Sequence, residues 1–154
     1  MAASYKPIEN YGMVGDMPTV AMIATDGSVD WMCLARFDSP SVFGALLDAD
    51  KGGHFRIAAA SADVTNKQFY WPETNVLVTR FLSPKGAAEL TDFMPVGSAA
   101  NGRAAGQLIR RLTAMRGDIE FRMACSPAFN YARDRHKTEI SPDGACFCRP
   151  ALRR

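Results

Sequence analysis

Short apolar runs separated by turn residues dominate this chain of 154 residues. Thr19 to Ala24 is an apolar run, Thr25-Asp26-Gly27-Ser28 follows with Asp-Gly at its centre, and Val29 to Leu34 is a second apolar run. Two runs flanking an Asp-Gly turn predict a β-hairpin, because such turns tolerate the positive φ that tight strand connections need. Arg36-Phe37-Asp38-Ser39-Pro40 reads as a loop, since Pro40 biases Ser39 away from helical angles. Ser41 to Leu47 places Val42, Phe43, Leu46 and Leu47 near one face of a helical wheel, which predicts the one short helix. Asp48 to Gly53 is a polar turn, and His54 to Ala58 a third strand.

Asn75 to Leu82 alternates with a slip near its end, Ser83-Pro84-Lys85-Gly86 predicts a second hairpin turn, and Ala87 to Met94 is the returning strand. Gly97 to Gly106 is small and polar, as a mobile loop would be. Gln107 to Met115 and Ile119 to Cys125 flank Arg116-Gly117-Asp118, read as a third tight turn. Phe129 to Tyr131, Thr138 to Ile140 and Ala145 to Cys148 are expected as short strands, with Asp143-Gly144 as a fourth turn. Hairpins at regular spacing with a single short helix predict an all-β fold, an antiparallel β-sandwich forming one domain over residues 1–154. There is no βαβ alternation, so a doubly wound nucleotide fold is not expected. Gly12, Gly15 and Gly27 do not make a phosphate loop.

Composition narrows the classes further. Hydrophobic residues at 47% and charged residues at 22% are ordinary for a globular domain and argue against disorder. A net charge of +2 is too weak for a nucleic-acid partner, and Arg149, Arg153 and Arg154 read as a solvated tail. No apolar run reaches the roughly 18 residues needed to span a bilayer. The N-terminus is polar and lacks a signal peptide, so a cytoplasmic location is expected, with Cys33, Cys125, Cys146 and Cys148 as reduced thiols. Cys146 and Cys148 would share one face of a strand. His54 and His136 sit in no ligand-spaced cluster, so neither a metal site nor another cofactor is expected.

Several stretches resemble a known family. Ile8-Glu9-Asn10-Tyr11-Gly12-Met13-Val14-Gly15-Asp16 is similar to the opening of bacterial and archaeal family-15 glycoside hydrolases, the glucoamylase- and trehalase-like enzymes. So is the long run from Asp26-Gly27-Ser28-Val29-Asp30-Trp31 through Arg36-Phe37-Asp38-Ser39-Pro40 to Phe43. Thr74 to Phe81, Thr91-Asp92-Phe93-Met94-Pro95, Arg110-Arg111, Met115-Arg116-Gly117 and Pro127 to Arg133 follow in the family's order. The resemblance covers nearly all of residues 5–140. It implies a β-sandwich that precedes a catalytic (α/α)₆ barrel, the barrel hydrolysing α-glucosidic bonds with inversion through two glutamates. None of Glu9, Glu73, Glu89, Glu120 or Glu139 matches a catalytic position, so no catalytic residue is expected in this chain. The closing strands of the sandwich are expected to be missing beyond Cys148. An exposed sheet edge would then make a homodimer possible by strand pairing. The other implied partner is the barrel itself.

Asp30 and Asp38 are a tempting carboxylate pair. The plainer reading makes both structural, Asp38 bonding backbone groups of its loop and Asp30 stabilising the turn. Trp31, Arg36, Phe37 and Asp38 are the candidate substrate-binding residues: rings stack on sugar faces, and charged groups bond hydroxyls. The alternative for them is packing at a domain interface or in the core. Tyr131 and Arg133 invite the same two readings. Phe69, Tyr70 and Trp71 form an aromatic cluster that reads either as a carbohydrate-binding platform or, as is commoner for alternating rings on a strand, as core and edge cover. Two other classes stay open: a stand-alone carbohydrate-binding module and a purely structural assembly domain.

Overall fold

The computed structural model describes residues 5–34, 36–96 and 106–148. Most of the predicted 97–106 loop and the basic tail from Arg149 onward lie outside the described residues. Twelve strands form three antiparallel sheets. The first sheet runs in the order β1 (Tyr11–Gly15), β2 (Val20–Ala24), β3 (Ser28–Cys33), β5 (His54–Ala59) and β10 (Phe121–Ser126), with β4 (Ser41–Phe43) also paired to β3. The second runs β6 (Thr65–Tyr70), β7 (Leu77–Ser83), β8 (Gly86–Phe93) and β9 (Ile109–Gly117). The hairpin β11 (Lys137–Ser141) and β12 (Gly144–Cys148) stands as a separate two-stranded sheet.

The two larger sheets pack face to face, as the alternation of their strands dictates. Val14, Ala21, Ile23, Val29, Met32 and Phe43 of the first meet Leu77 of the second, with Met94 just beyond β8. A second cluster joins Ile57 to Phe81 and Leu90. The predicted all-β sandwich is thus the observed fold, and the hairpins around Asp26-Gly27 and Pro84-Lys85 are both present.

The helix is elsewhere than expected. Ser41–Phe43 is strand β4, not the start of a helix over 41–47, because Phe43 pairs with Met32 and enters the core. A seven-residue helix has too few internal bonds to compete with that burial. Besides a 3-10 turn at Ile8–Asn10, the described residues contain a short helical turn, α1 (Phe129–Ala132), which falls where a strand was expected. It is left-handed: Asn130, Tyr131 and Ala132 have φ of 54°, 58° and 61°. Each such residue costs about 1–2 kcal/mol, so the surroundings must hold it. Tyr131 N–H donates to Ser41 Oγ at 2.9 Å, and Asn130 Nδ2 donates to Asp134 Oδ1 at 3.2 Å.

A second correction concerns Arg116-Gly117-Asp118. It is not a hairpin turn, because β9 pairs with β8 while β10 pairs with β5 in the opposite sheet. Gly117, at φ 61°, lets the chain leave β9 close against the Lys85 carbonyl and cross between sheets. Strands β1 and β6 carry too little apolar alternation to have been predicted, and each is an edge strand of its sheet.

The crossover leaves β9 and β10 as the outer strands on the same flank of the sandwich. Cross-strand partners share a face. Leu112 pairs with the core residue Leu90, and Met123 with the core residue Ile57, so both point between the sheets. They are nevertheless 40% and 73% exposed. Ala88, Leu112, Ala114, Ile119 and Phe121 line a cavity there.

Candidate functional site

The bulge in β3 organises the first polar site. Between the pairs Ile23–Val29 and Met22–Trp31, Asp30 is the extra residue. It turns outward, yet is only 4% exposed. Three donors converge on its carboxylate: Lys6 Nζ and Tyr11 Oη at 2.8 Å each, and the Ser28 hydroxyl. Lys6 also bonds Asp26 at 3.0 Å. Tyr5, Ala45, Ala49, His54 and Arg56 also line the cavity above this network. Burial by itself would raise the Asp30 carboxyl. The hydrogen bonds from Lys6, Ser28 and Tyr11 overcome that and hold it below the usual carboxylate value. Burial, then the bond to Asp30, push the Tyr11 phenol above its usual value.

The chemistry of this cluster is that of a brace. A carboxylate held ionised by a lysine is a poor proton donor, and its oxygens are already occupied. The network instead ties the segment before β1 to the bulge and the Asp26-Gly27 turn. The folded-state value of Asp30 lies below the unfolded one, so its contribution is complete above the unfolded pKa of about 3.9 and is lost as pH falls through the folded value. The stability gap between the native chain and Asp30→Asn is therefore expected to be about 1–3 kcal/mol near neutral pH and to close progressively in acid. Urea midpoints across a pH series check this.

Trp31, Arg36, Phe37 and Asp38 do not form one cluster. Trp31 pairs with Met22 on the outer face of β3, and its ring lies 6.0 Å from that of Tyr131, tilted by 45°. Arg36, Phe37 and Asp38 line a shallow depression together with Pro18. Phe37 N–H donates to the Pro18 carbonyl at 2.9 Å while its ring stays 61% exposed. Arg36 Nε donates to Asp38 Oδ1 at 3.1 Å, both side chains largely in solvent. Asp38 thus bonds its loop's arginine, where its own backbone had been the expected partner. Asp30 and Asp38 sit in contrasting surroundings, one buried and braced, the other exposed.

Sequence reading missed Lys6 and Tyr11 as partners of Asp30, and Lys6 and Arg56 as partners of Asp26. They come from distant positions, and only the sheet register brings them together. It also gave no sign that Tyr131 would meet Trp31, because the left-handed turn that aims Tyr131 has no glycine to announce it. Among the described residues, no group of three or more histidine, cysteine, aspartate or glutamate side chains is placed to hold a metal ion. No described helix is long and apolar enough to cross a membrane.

Residues 1–148 match the family model described as "Trehalase-like, N-terminal". The chain belongs to the trehalase-like N-terminal family. Among its relatives, the trehalase of Thermoplasma volcanium is 35% identical over 146 residues, which cover 93% of this chain and 23% of the relative. Trehalase 1 of Sulfolobus acidocaldarius is 37% identical over 92% of this chain and 23% of its own length. The trehalase of Mycolicibacterium smegmatis is 34% identical over 84% of this chain and 21% of its own. The chain therefore spans less than a quarter of each of these relatives. No solved structure gives a significant match. Among the described residues the chain is a β-sandwich in which β9 and β10 have no further neighbouring strand, and the segments that marked the resemblance hold it together. Asp92 and Arg110, from two of them, form a buried ion pair at 2.8 Å.

Proposed function

We propose that this chain is the non-catalytic N-terminal domain of a cytoplasmic trehalase-type glycoside hydrolase, packing against the enzyme's catalytic barrel and shaping its substrate entrance. The observation that carries the reading is the uncovered flank between β9 and β10. Leu112 and Met123 point inward on strands with no further neighbour among the described residues. A domain that leaves inward-facing apolar groups in water is one that packs against more protein. In this reading the barrel supplies both catalytic glutamates, and the whole enzyme hydrolyses an α-glucosidic bond with inversion.

Two surface features suit the entrance. Trp31 and Tyr131 offer adjacent rings that stack on apolar sugar faces. Arg36, Phe37 and Asp38 offer a ring beside a donor and an acceptor for hydroxyls. Grafting this domain in place of the matching segment of the Thermoplasma volcanium trehalase tests both roles. The graft is expected to hydrolyse trehalose. Met123→Glu in the graft is expected to lower its melting temperature, and Phe37→Ala to raise KM several-fold at unchanged melting temperature. A Phe37→Ala graft with unaltered KM would remove the loop from the substrate entrance, and a Met123→Glu graft of unaltered stability would remove the flank from the interface.

The same flank favours a second association when the domain is alone. Unpaired strand edges beside apolar side chains template pairing with another copy. A homodimer is expected, and a light-scattering mass of one chain throughout the micromolar range would rule it out.

A further inference from the structure

The β11–β12 hairpin carries a pair of thiols outside the polar site and the flank described above. Cys146 and Cys148 are both exposed and free. They lie on one face of β12 with Phe147 on the other. Their Sγ atoms are 2.8 Å apart, in hydrogen-bond contact. That bond is the main cause raising the Cys148 thiol above its usual value. The separation discriminates between two chemistries. Two thiolates on a tetrahedral zinc, each at about 2.3 Å from the metal, stand about 3.8 Å apart, whereas a disulfide bond is about 2.05 Å long. The pair is set closer than a zinc would hold it, and no third ligand joins it among the described residues.

We propose that Cys146 and Cys148 form an exchangeable dithiol that reacts with small-molecule disulfides and closes reversibly to an intrachain disulfide. One cysteine thiolate attacks a sulfur of the small disulfide, making a mixed disulfide and expelling one small thiolate, which takes up a proton. The neighbouring thiolate then attacks the protein sulfur of that bond and expels the second small thiol. The cysteines lose two electrons and two protons, and the small disulfide gains both as two thiols. Exposure gives the reagent access, and the adjacency of the second thiol makes the closing step intramolecular.

Closure reaches beyond the two sulfurs. Same-face Cα atoms on a strand are about 6.7 Å apart, near the wide limit of roughly 6.8 Å for disulfides. The bond therefore draws β12 in and loosens the pairs Lys137–Cys148 and Glu139–Cys146. Phe147, between the two cysteines, meets His136 edge to face at 5.7 Å, and His136 meets Phe129 of α1 edge to face at 5.3 Å. This aromatic chain links the hairpin to the turn that aims Tyr131 toward Trp31. A strand under such tension reopens readily when small thiols are in excess.

Incubating the full chain with oxidised glutathione, then measuring intact mass and mapping peptides, tests the proposal. The expected product has lost two hydrogens, carries no glutathione, and maps to a Cys146–Cys148 link that excess reduced glutathione reverses. Cys146→Ser is expected to stop at a stable mixed disulfide on Cys148. Stable glutathione adducts on both cysteines of the native chain, a link between two chains, or no reaction at either residue would each overturn it.

Discussion

Arg110→Ala is expected to lower the unfolding free energy by about 3–5 kcal/mol, the range for breaking a buried ion pair by removing one partner. Arg110 and Asp92 side chains are 3% and 0% exposed. The guanidinium donates to both carboxylate oxygens of Asp92, at 2.8 and 3.3 Å. It also reaches across the sandwich to the carbonyls of Phe55 and Gly27, each at 2.8 Å, and lies 4.8 Å from the centre of the Phe55 ring. One side chain from the second sheet thus satisfies two backbone acceptors of the first. Burial pushes the Asp92 carboxyl up, and Arg110 is the opposing influence. Without it, Asp92 must take a proton or remain a bare buried charge. Arg110→Lys keeps the charge but cannot fork to four acceptors, so it is expected to recover less than half of the loss. Urea unfolding followed by far-ultraviolet circular dichroism measures both. A loss below about 1 kcal/mol for Arg110→Ala would mean that the pair is no better than a surface one.

Gly27→Ala is the second large effect, expected to cost about 2–5 kcal/mol. Gly27 has φ 81°, and a Cβ there would lie 2.1 Å from the Ile57 carbonyl oxygen. The left-handed backbone alone accounts for about 1–2 kcal/mol, and the crowding for about 1–3 more. Neither can relax freely, because Ile57 N–H donates to the Gly27 carbonyl at 3.1 Å and Arg110 bonds that same oxygen. Moving β5 away to make room would break the clamp between the sheets. Thermal unfolding of this variant checks the size, and Gly44→Ala is the control, since its φ is not positive and an added Cβ meets nothing closer than 3.5 Å.

These two positions also show what was legible in the sequence. Asp26-Gly27 announced its hairpin because a positive φ between two apolar runs leaves few residue choices. Strands with a buried face, such as β7 and β8, were readable from their alternation. Phe43 misled, because over seven residues a helical face and a short buried strand use the same apolar positions, and the pairing partner Met32 decides between them. Phe129 to Tyr131 misled for a different reason: its left-handed turn rests on Ser41 and Trp31, both remote in sequence. The run Arg116-Gly117-Asp118 misled as well: Arg116 and Gly117 end strand β9, and which sheet the chain enters next depends on strands more than fifty residues earlier. The candidate residues Arg36, Phe37 and Asp38 came together because they are consecutive. Trp31 stood apart from them because β3 aims it at Tyr131. The Asp30 brace was unreadable for the same cause, since Lys6 and Tyr11 meet Asp30 only through the register of β1, β2 and β3.

Glucose release from trehalose by the purified chain tests the central claim most directly. A domain that packs and shapes an entrance, with its one buried outward carboxylate already braced by Lys6, Tyr11 and Ser28, is expected to release none above the rate of a buffer control. Sustained turnover by this chain alone, proportional to its concentration and abolished on unfolding, would contradict the account.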